Sequence, residues 1–420
     1  MLAIRGGKPV RDSGKAWPMW PVWGNKEKQF LSEVVDSGIW SYNGPKELEF
    51  IEHWKNYTNV KHAFLVANGT VSLQLALEAL NIGWGDEVIV PGLTWQATAT
   101  AVLDVNAVPI LVDIEPDTWC IDPKAVEAAI TPRTKAIIPV HLYGNMANMD
   151  EILLLAKKNG LYVIEDAAHK HGGEWNHLKA GTLGDIGSFS LQVSKPLTAG
   201  EGGILVTSDD NIAIKLDALR NCGRRPTNIN IIIDKTAGQY GEEGNLIQSG
   251  NYRITEFQAA VLLAQMENLE HQINLREENA RYLDKLLHKI PGVEPMKDDP
   301  RETKKDYYNY AFCYQEDAIG APVSAFRKAL SAELGIQVNG CYQPLNNCSL
   351  YRPLTKKRYA ISDKHLKEID PSRFNLPICK RIYASESVTL AHRFLMGSKD
   401  DMNCIAQAVQ KVIDHVSDLM

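Results

Sequence analysis

Short apolar runs alternate with helical patterns along the first half of the chain, and this alternation is the feature that most limits its fold. The runs lack the polar residue at every second position that a half-exposed strand would show. They lie at residues 63–66, 88–90, 109–112, 136–140, 162–164 and 204–206. Helical patterns separate most of them, at residues 71–80, 96–106, 123–130 and 149–158. This order predicts an α/β fold with a mainly parallel sheet flanked by helices.

The rest of the chain predicts an N-terminal arm and a second, smaller domain. Residues 1–25 carry three prolines and three tryptophans, which favour an extended arm packed on the body or on a partner subunit. A long helical pattern at residues 253–290 precedes shorter, mixed elements. We therefore predict an arm at residues 1–25, a large domain at 26–270 and a small C-terminal α/β domain at 271–420. A polar loop containing glycine is predicted between residues 223 and 250.

One lysine lies on the turn that joins two of the apolar stretches. Ser190 ends the first stretch, Lys195 follows, and a Gly-Glu-Gly-Gly sequence at residues 200–203 leads into the next. A lysine held between buried strands is partly desolvated, and desolvation lowers its pKa until the neutral amine is a usable nucleophile. Taken alone, the stretch also fits an ordinary loop lysine.

Two further signals follow the first and second predicted strands. Asn68, Gly69 and Thr70 run directly into a helix, whose unpaired N–H groups suit a phosphate. Trp95 follows the second strand and can cover a planar ring by stacking. A simple helix cap and a core tryptophan are the alternatives for each signal by itself. Ligands on such sheets gather at the carboxyl ends of the strands, so these residues are expected to share one edge.

The last signal is a pair of carboxylates after another buried strand. Glu165 and Asp166 need a cationic partner there, either in a structural ion pair or in a protonated pyridine nitrogen bound by Asp166. His169 can donate a hydrogen bond to a ring oxygen. Pyridoxal 5′-phosphate requires four features together: a phosphate site, a stacking ring, an acid for its pyridinium nitrogen and a lysine able to form a Schiff base.

Charge and composition disfavour several other classes of protein. The net charge of -6 argues against non-specific binding of nucleic acid or anionic membranes. Neither a signal peptide nor an apolar run near ~18 residues is present in the sequence, so no membrane span is expected. The seven scattered cysteines form no C-x-x-C pair, which indicates reduced thiols in a cytoplasmic protein without a metal site. No G-x-G-x-x-G follows the first strand, which disfavours a Rossmann dehydrogenase.

Longer motifs carry a resemblance to a known family. They include G-D-E-V-I-V-P at residues 85–91, P-V-H-L-Y-G at 139–144, E-D-A-A at 165–168 and G-N-Y-R-I-T-E-F-Q-A-A at 250–260. With Lys195 and the glycines after it, they make the sequence similar to the DegT/DnrJ/EryC1/StrS family of pyridoxal-phosphate aminotransferases over nearly the whole chain. The resemblance implies a fold-type-I transferase with a mainly parallel seven-stranded sheet and a smaller C-terminal α/β domain.

The resemblance also implies catalytic and ring-binding roles. Lys195 matches the lysine that forms the Schiff base with the cofactor, and Asp166 matches the acid that keeps the pyridine nitrogen protonated. Trp95 matches the aromatic residue that stacks on the ring. His169 stands where many members have glutamine, and it can still donate a hydrogen bond.

The phosphate-binding positions follow in the same way. Gly69, Thr70 and Ser190 match phosphate binders, and Asn68 stands at the usual serine position. Asn251 matches a residue that reaches the phosphate from the other subunit. The resemblance therefore implies a homodimer with shared active sites.

Within the family, the sequence is most similar to the glutamine-dependent cyclitol aminotransferases that act on scyllo-inosose or 2-deoxy-scyllo-inosose. This similarity implies amino transfer from L-glutamine or L-glutamate to a keto-cyclitol or keto-sugar, in aminocyclitol, aminoglycoside antibiotic or amino-sugar biosynthesis. Gln192, Tyr342 and His392 are the candidate substrate residues, and Cys341 replaces a histidine of the family motif beside Tyr342.

Two other functions stay open at this point. A relative of the 3-amino-5-hydroxybenzoate synthases would use the same lysine to remove water. A non-catalytic relative would only bind a sugar, although the presence of Lys195 argues against it. Neither charge nor spacing distinguishes a free cyclitol from a nucleotide-linked sugar as the acceptor.

Overall fold

A seven-stranded sheet forms the centre of the protein in the computed structural model, which describes residues 1–224 and 246–419. Most of the loop predicted between residues 223 and 250 lies outside the described residues. The first nine strands are β1 (His62–Val66), β2 (Glu87–Pro91), β3 (Val108–Val112), β4 (Thr134–Ile137), β5 (Tyr162–Asp166), β6 (Glu174–Trp175), β7 (Leu178–Lys179), β8 (Ile186–Ser190) and β9 (Gly203–Thr207). Strands β6 and β7 form a separate hairpin.

The order of the central sheet is β1-β9-β8-β5-β4-β2-β3. Strand β9 runs antiparallel to both of its neighbours, and the other pairs are parallel. The six predicted apolar runs all fall on strands of this sheet, so the mainly parallel α/β fold is confirmed. Because β1, β2, β5 and β8 point the same way, their carboxyl ends meet at one edge.

Helices cover the sheet, and each predicted helix is found within a few residues of its expected ends. The helices of this part of the chain are α1 (Asn25–Ser37), α2 (Pro45–Thr58), α3 (Gly69–Ala79), α4 (Ala97–Asp104), α5 (Pro123–Ala129), α6 (Met149–Asn159), α7 (Asp210–Arg220) and α8 (Glu256–Leu287). Several starts are set by side-chain caps. Asn68, Asp122, Asn148 and Asp209 each accept a hydrogen bond from a first-turn N–H group.

Helix α8 connects two hydrophobic clusters. Its first half buries Ala259, Leu262 and Leu263 against the central sheet. Its last turns bury Leu283 and Leu287 in the second cluster.

The second cluster surrounds a three-stranded antiparallel sheet near the C-terminus. Its elements are β10 (Val293–Pro295), β11 (Asn309–Tyr314), β12 (Ser387–Ala391), α9 (Glu316–Ile319), α10 (Val323–Leu334), α11 (Asp363–Ile369), α12 (Pro377–Arg381) and α13 (Lys399–Asp414). Between β11 and β12 the chain returns to the first cluster, where Leu345, Tyr359 and Leu376 are buried. The division into an arm, a large domain and a small domain stays a prediction.

The N-terminal arm packs on its own chain. The indole of Trp17 donates to the carbonyl of Leu334, and Arg11 forms a buried ion pair with Asp401. Trp23 stays largely exposed. No helix in the described part of the chain is long and apolar enough to cross a membrane.

Candidate active site

Lys195 lies on a long turn between β8 and β9. Ser190 pairs with Gly203, so residues 191–202, here called the lysine turn, leave the sheet edge and return to it. Gly200 and Gly202 have φ values of 85° and 149°, which glycine adopts without the steric cost of a side chain. Lys195 is only 9% exposed. Burial lowers the pKa of its amine from 10.5 to about 8, although the nearby charge of Asp166 acts in the opposite direction.

The amine of Lys195 points at an aromatic ring rather than at a carboxylate. Its Nζ lies 4.1 Å from the ring centroid of Tyr308, and no carboxylate of the described residues lies within salt-bridge distance. The Tyr308 hydroxyl is 3.1 Å from Ser194 Oγ on the lysine turn. The amine is therefore buried, weakly basic and free to react.

Asp166 ends β5 and is buried close to the lysine. Thr98 donates a hydrogen bond of 2.8 Å to its Oδ2, and the Ala168 N–H group donates one of 3.2 Å to Oδ1. Burial raises the pKa of this carboxyl, and the hydrogen bonds from Thr98 and Ala168 only partly offset that effect. A cationic partner would stabilise the ionised form.

The neighbouring carboxylate, Glu165, has a different role. It accepts hydrogen bonds from the backbone N–H groups of Gly181, Leu183 and Gly184, and from Nε2 of His141 at 2.9 Å. Its lone pairs are therefore occupied within the chain. Of the two adjacent acids, Asp166 alone lies on the lysine side with oxygens left for a ligand.

A helix start and a strand end form a cradle beside the lysine. Asn68 Oδ1 accepts the Val71 N–H group at 2.9 Å and so starts α3. A Cβ atom on Gly69 would lie 2.7 Å from the Cβ of Ser190. Only glycine therefore allows this close approach. The first N–H groups of α3 and the hydroxyls of Thr70 and Ser190 are placed to hold an anion.

His169 has a defined tautomer. Its Nδ1 accepts the Tyr143 N–H group at 3.2 Å, so the ring proton is on Nε2, which lies 3.4 Å from the Tyr342 hydroxyl. Burial, and then the positive charge of Lys195, hold the pKa of His169 well below its usual 6.5. The imidazole is therefore neutral, and it stacks on the Tyr308 ring with centroids 3.9 Å apart.

The remaining predicted ring and substrate residues line the open side. Trp95 is 45% exposed and its ring centroid lies 5.7 Å from that of Tyr342. Gln192 Oε1 accepts from both the N–H group and the hydroxyl of Ser194. The Gln192 side chain is thereby held at the start of the lysine turn.

Two predicted site residues lie apart from this group. His392 is buried on the other side of the lysine turn, where its Nε2 donates to the Ser194 carbonyl at 3.0 Å. Asn251 is exposed just before α8, and its Oδ1 accepts the Arg253 N–H group. Neither side chain forms a hydrogen bond with Lys195 or Asp166 in the described part of the chain.

These residues fit pyridoxal 5′-phosphate. The cradle at Gly69 and Ser190 would receive an anion. Among residues 1–224 and 246–419, neither the carboxylate of Asp166 nor the amine of Lys195 has an oppositely charged side chain within salt-bridge distance. Trp95 is exposed enough to cover a ring with its face. Phosphate, pyridinium nitrogen and aldehyde are the groups that this set of residues would hold.

Three residues of the site were not predicted from the sequence. Thr98 holds Asp166, while Tyr308 contacts both Lys195 and His169, and Tyr143 fixes the tautomer of His169. Thr98 comes three positions after Trp95, in the first turn of α4. The sequence therefore places Thr98 near the site but does not show that it binds Asp166. Tyr308 carries no local signal, because it comes from the C-terminal part of the chain.

Comparisons with known proteins match the chain from end to end. A model of the DegT/DnrJ/EryC1/StrS aminotransferase family matches residues 21–389. The L-glutamine:2-deoxy-scyllo-inosose aminotransferase of Streptoalloteichus tenebrarius is 43% identical, over 100% of this chain and 99% of that protein. The L-glutamine:scyllo-inosose aminotransferase of Streptomyces griseus is 41% identical, with the same coverage of each chain.

A solved structure gives the same result for the fold. The crystal structure of 3-amino-5-hydroxybenzoic acid synthase superposes with a TM-score of 0.81 at 29% identity. The match covers 95% of this chain and 99% of the synthase. The similarity therefore extends over both hydrophobic clusters rather than over a single motif.

Proposed function

The chain belongs to the DegT/DnrJ/EryC1/StrS aminotransferase family, and we propose on that premise that it transfers the amino group of L-glutamine to a keto-cyclitol. It is an aminotransferase that depends on pyridoxal 5′-phosphate. The observation that carries the choice of substrates is the 43% identity, from end to end, to an L-glutamine:2-deoxy-scyllo-inosose aminotransferase. Aminocyclitol formation for an aminoglycoside antibiotic is the pathway that this activity would serve.

We assign the cofactor contacts to the residues at the sheet edge. Gly69, Thr70 and Ser190 hold the phosphate, with Asn68 fixing the start of the helix. Asp166 binds the protonated ring nitrogen, because its buried carboxyl otherwise lacks a cationic partner.

The two ring-lining residues complete this assignment. Trp95 covers one face of the ring. His169 donates from Nε2 to a ring oxygen, since its Nδ1 is occupied by the Tyr143 N–H group.

We assign the proton transfers of the reaction to Lys195. Bound pyridoxal phosphate supplies an aldehyde that carries the amino group and a ring that accepts electron density. The neutral amine of Lys195 would take the proton from the donor's α-carbon as general base. Its pKa near 8 suits this role, because a substantial fraction of the amine is neutral at pH 7 to 8. In the second half-reaction Lys195 returns a proton to the acceptor carbon.

Gln192 and Tyr342 are the candidate contacts to the substrates. Both border the open side of the site, and both end in groups that hydrogen-bond to hydroxyls or to a carboxylate. A polyhydroxylated ring offers such hydroxyls at every carbon. Cys341, which replaces the family histidine, is buried and does not border this opening.

We further propose a homodimer in which each site receives Asn251 from the partner. Asn251 is exposed in the single chain, and its Oδ1 accepts the Arg253 N–H group rather than a group of the Lys195 site. Large apolar side chains are also exposed, including Trp23, Trp40 and Trp95. An interface would bury them, which is how exposed apolar patches are normally used.

We also place the enzyme in the cytoplasm. The seven cysteines are all free, and Cys120, Cys341 and Cys379 are buried without a disulfide partner. Free thiols persist in a reducing compartment.

The proposal is tested by following amination directly. Purified full-length protein loaded with pyridoxal phosphate is incubated with L-glutamine and scyllo-inosose or 2-deoxy-scyllo-inosose, and the amino-cyclitol is measured by mass spectrometry. We expect product with the wild type and none above background with Lys195→Ala. Lys157→Ala, on the exposed face of α6, is the matched control and should keep full activity.

The other outcomes separate the alternatives. Amination of a nucleotide-linked keto-sugar but not of either cyclitol would move the acceptor to that class. Loss of water with formation of an aromatic amine would favour the dehydratase. Amino transfer by Lys195→Ala at the wild-type rate would refute the assignment of the lysine.

A further inference from the structure

Three side chains hold the backbone just before Lys195, between Ser190 and Ser194, from outside. His171 Nε2 donates to the Ser190 carbonyl at 2.8 Å, and His392 Nε2 donates to the Ser194 carbonyl at 3.0 Å. The indole Nε1 of Trp20 donates to the Val193 carbonyl at 2.8 Å. All three acceptors lie on the N-terminal side of Lys195.

The donors come from distant parts of the chain. Trp20 belongs to the N-terminal arm, His171 follows β5, and His392 follows β12. Trp20 and His392 also touch each other, with ring centroids 4.6 Å apart in an edge-to-face arrangement. The arm and the C-terminal part of the chain therefore meet on the lysine turn.

The tautomers of both histidines follow from their acceptors. A carbonyl can only accept, so each imidazole carries its proton on Nε2. The Nδ1 atoms of His171 and His392 have no hydrogen-bond partner among the described residues. Burial lowers the pKa of both rings, to about 3 for His171, so they stay neutral donors at physiological pH.

Arg276 lies in the same buried region. Its guanidinium is fully buried, lies 5.1 Å from the centroid of the Trp20 ring, and has no carboxylate within salt-bridge distance among residues 1–224 and 246–419. Its positive charge disfavours protonation of either imidazole. Packing against Trp20 also fixes the indole beside the turn.

The turn needs such support because of what it carries. Burying an amine is unfavourable, and an unsupported turn would relieve the cost by swinging Lys195 into solvent. Its own backbone hydrogen bonds run across the turn. On its C-terminal side, Gln258 of α8 donates to the Glu201 carbonyl at 2.9 Å. On the N-terminal side, which leads into Lys195, the three donors tie the backbone to the body of the protein.

We propose that Trp20, His171 and His392 are positioning residues that hold the backbone leading into Lys195, residues 190–194, by its carbonyls and so keep the Lys195 amine inside the site. This inference rests on the proposed function, because it assumes that Lys195 reacts with pyridoxal phosphate. It also gives His392 a role other than contact with substrate.

The test compares variants that lose a donor with variants that keep one. Trp20→Phe keeps the ring against His392 and loses only the N–H group. His392→Leu loses its donor, and His392→Gln keeps one near the Nε2 position. Trp84→Phe and His365→Leu are the matched controls, because these two residues pack on each other away from the lysine turn.

Full-length protein is freed of cofactor and mixed with pyridoxal phosphate. The rate of Lys195 labelling is measured by borohydride reduction and peptide mass spectrometry. We expect Trp20→Phe and His392→Leu to be slower by about tenfold, the effect of losing one hydrogen bond. His392→Gln should stay within about threefold of wild type, and both controls should be unchanged.

Hydrogen exchange of the peptide that spans the lysine turn gives a second readout that needs no cofactor. Exchange should become faster in Trp20→Phe and His392→Leu and stay unchanged in the controls and in His392→Gln. If His392→Leu does not fold, Trp20→Phe decides. The inference is overturned if the donor-loss variants match the controls in both measurements, or if His392→Gln is as slow as His392→Leu.

The two readouts also separate this inference from the proposed function. If wild-type Lys195 is not labelled, the proposed function fails. Whether the three donors hold the backbone before Lys195 is then decided by hydrogen exchange of the peptide that spans the lysine turn.

Discussion

Burial of Lys195 favours the reactivity of its amine but lowers the stability of the folded protein. The site needs a neutral amine, and the protein obtains it by burying the side chain away from any carboxylate within contact distance. The same burial destabilises the folded state wherever the unfolded lysine is protonated. Asp166 presents the same conflict with the opposite charge, since its carboxyl is buried and, in the described part of the chain, accepts side-chain and backbone hydrogen bonds from Thr98 and Ala168 rather than forming an ion pair.

At this scale we predict that Lys195→Met stabilises the cofactor-free protein. The lowering of the pKa from 10.5 to about 8 corresponds to about 2–3 kcal/mol at pH 7. Between pH 8 and 10.5 the folded amine is neutral while the unfolded amine is still charged, so wild-type stability rises with pH. The advantage of the variant should therefore shrink across that window. Urea unfolding of both proteins at pH 7 and pH 10.5 measures it.

Lys157→Met is the control for this prediction, because Lys157 is exposed on α6. It should change stability little at either pH. A destabilised Lys195→Met protein at pH 7 would contradict the argument that burial of the amine is unfavourable.

At the scale of elements, the site depends on how closely the start of α3 approaches the end of β8. Gly69 permits that approach, and Gly203 permits β9 to pass the Asn68 carbonyl, which a Cβ would meet at 2.6 Å. The antiparallel return of β9 then places the lysine turn over the same sheet edge.

We predict that Gly69→Ala weakens binding of pyridoxal phosphate by about 5–100-fold, the range expected when overpacking costs about 1–3 kcal/mol. The added methyl group would push α3 away from Ser190, to which a Cβ would be 2.7 Å distant. Fluorescence titration of the cofactor-free protein measures the dissociation constant.

Gly24→Ala is the matched control, because Gly24 precedes α1 and an added Cβ meets no atom within 4 Å. Its affinity for the cofactor should equal that of the wild type. Equal affinities of Gly69→Ala and Gly24→Ala would mean that the cradle is not the phosphate site.

At the scale of the whole molecule, the two ends of the chain converge on the site. The arm reaches the lysine turn through Trp20, and the residues after β12 reach it through His392. Helix α8 runs through both hydrophobic clusters and ties them together. Trp95, by contrast, stays 45% exposed in the single chain.

We predict that two inactive variants restore activity when they share a dimer. In a mixed dimer of Lys195→Ala with Asn251→Ala, one site combines an intact Lys195 with the intact Asn251 of the other subunit. Random mixing should then recover about a quarter of wild-type activity, since half of the dimers are mixed and half of their sites are complete. The two variants are unfolded and refolded together, and amination is assayed.

The control is the same experiment with each variant alone, which should show no recovery. A mixture no more active than the average of its parts would show that Asn251 does not act across an interface. Sedimentation velocity on the same samples measures the fraction of dimers.

The sequence by itself determined the sheet, most helix positions and the central residues of the site. Strands and helices were predictable because apolar periodicity and capping residues act over a few neighbouring positions. Lys195, Asp166 and Gly69 were predictable because each follows a strand, and parallel strands end at one edge of the sheet. Their roles still rest on the resemblance and on the experiments above.

Tertiary structure alone decided which side chains support Lys195 and Asp166. Thr98 and Asp166 are 68 residues apart, and Trp20 and His392 reach the lysine turn across 173 and 198 residues. No local pattern encodes such contacts, because they depend on how the arm, the sheet and the C-terminal elements pack. The tautomers of His169 and His392 were likewise unpredictable, since a neighbouring N–H group or carbonyl fixes each ring proton only after the chain has folded.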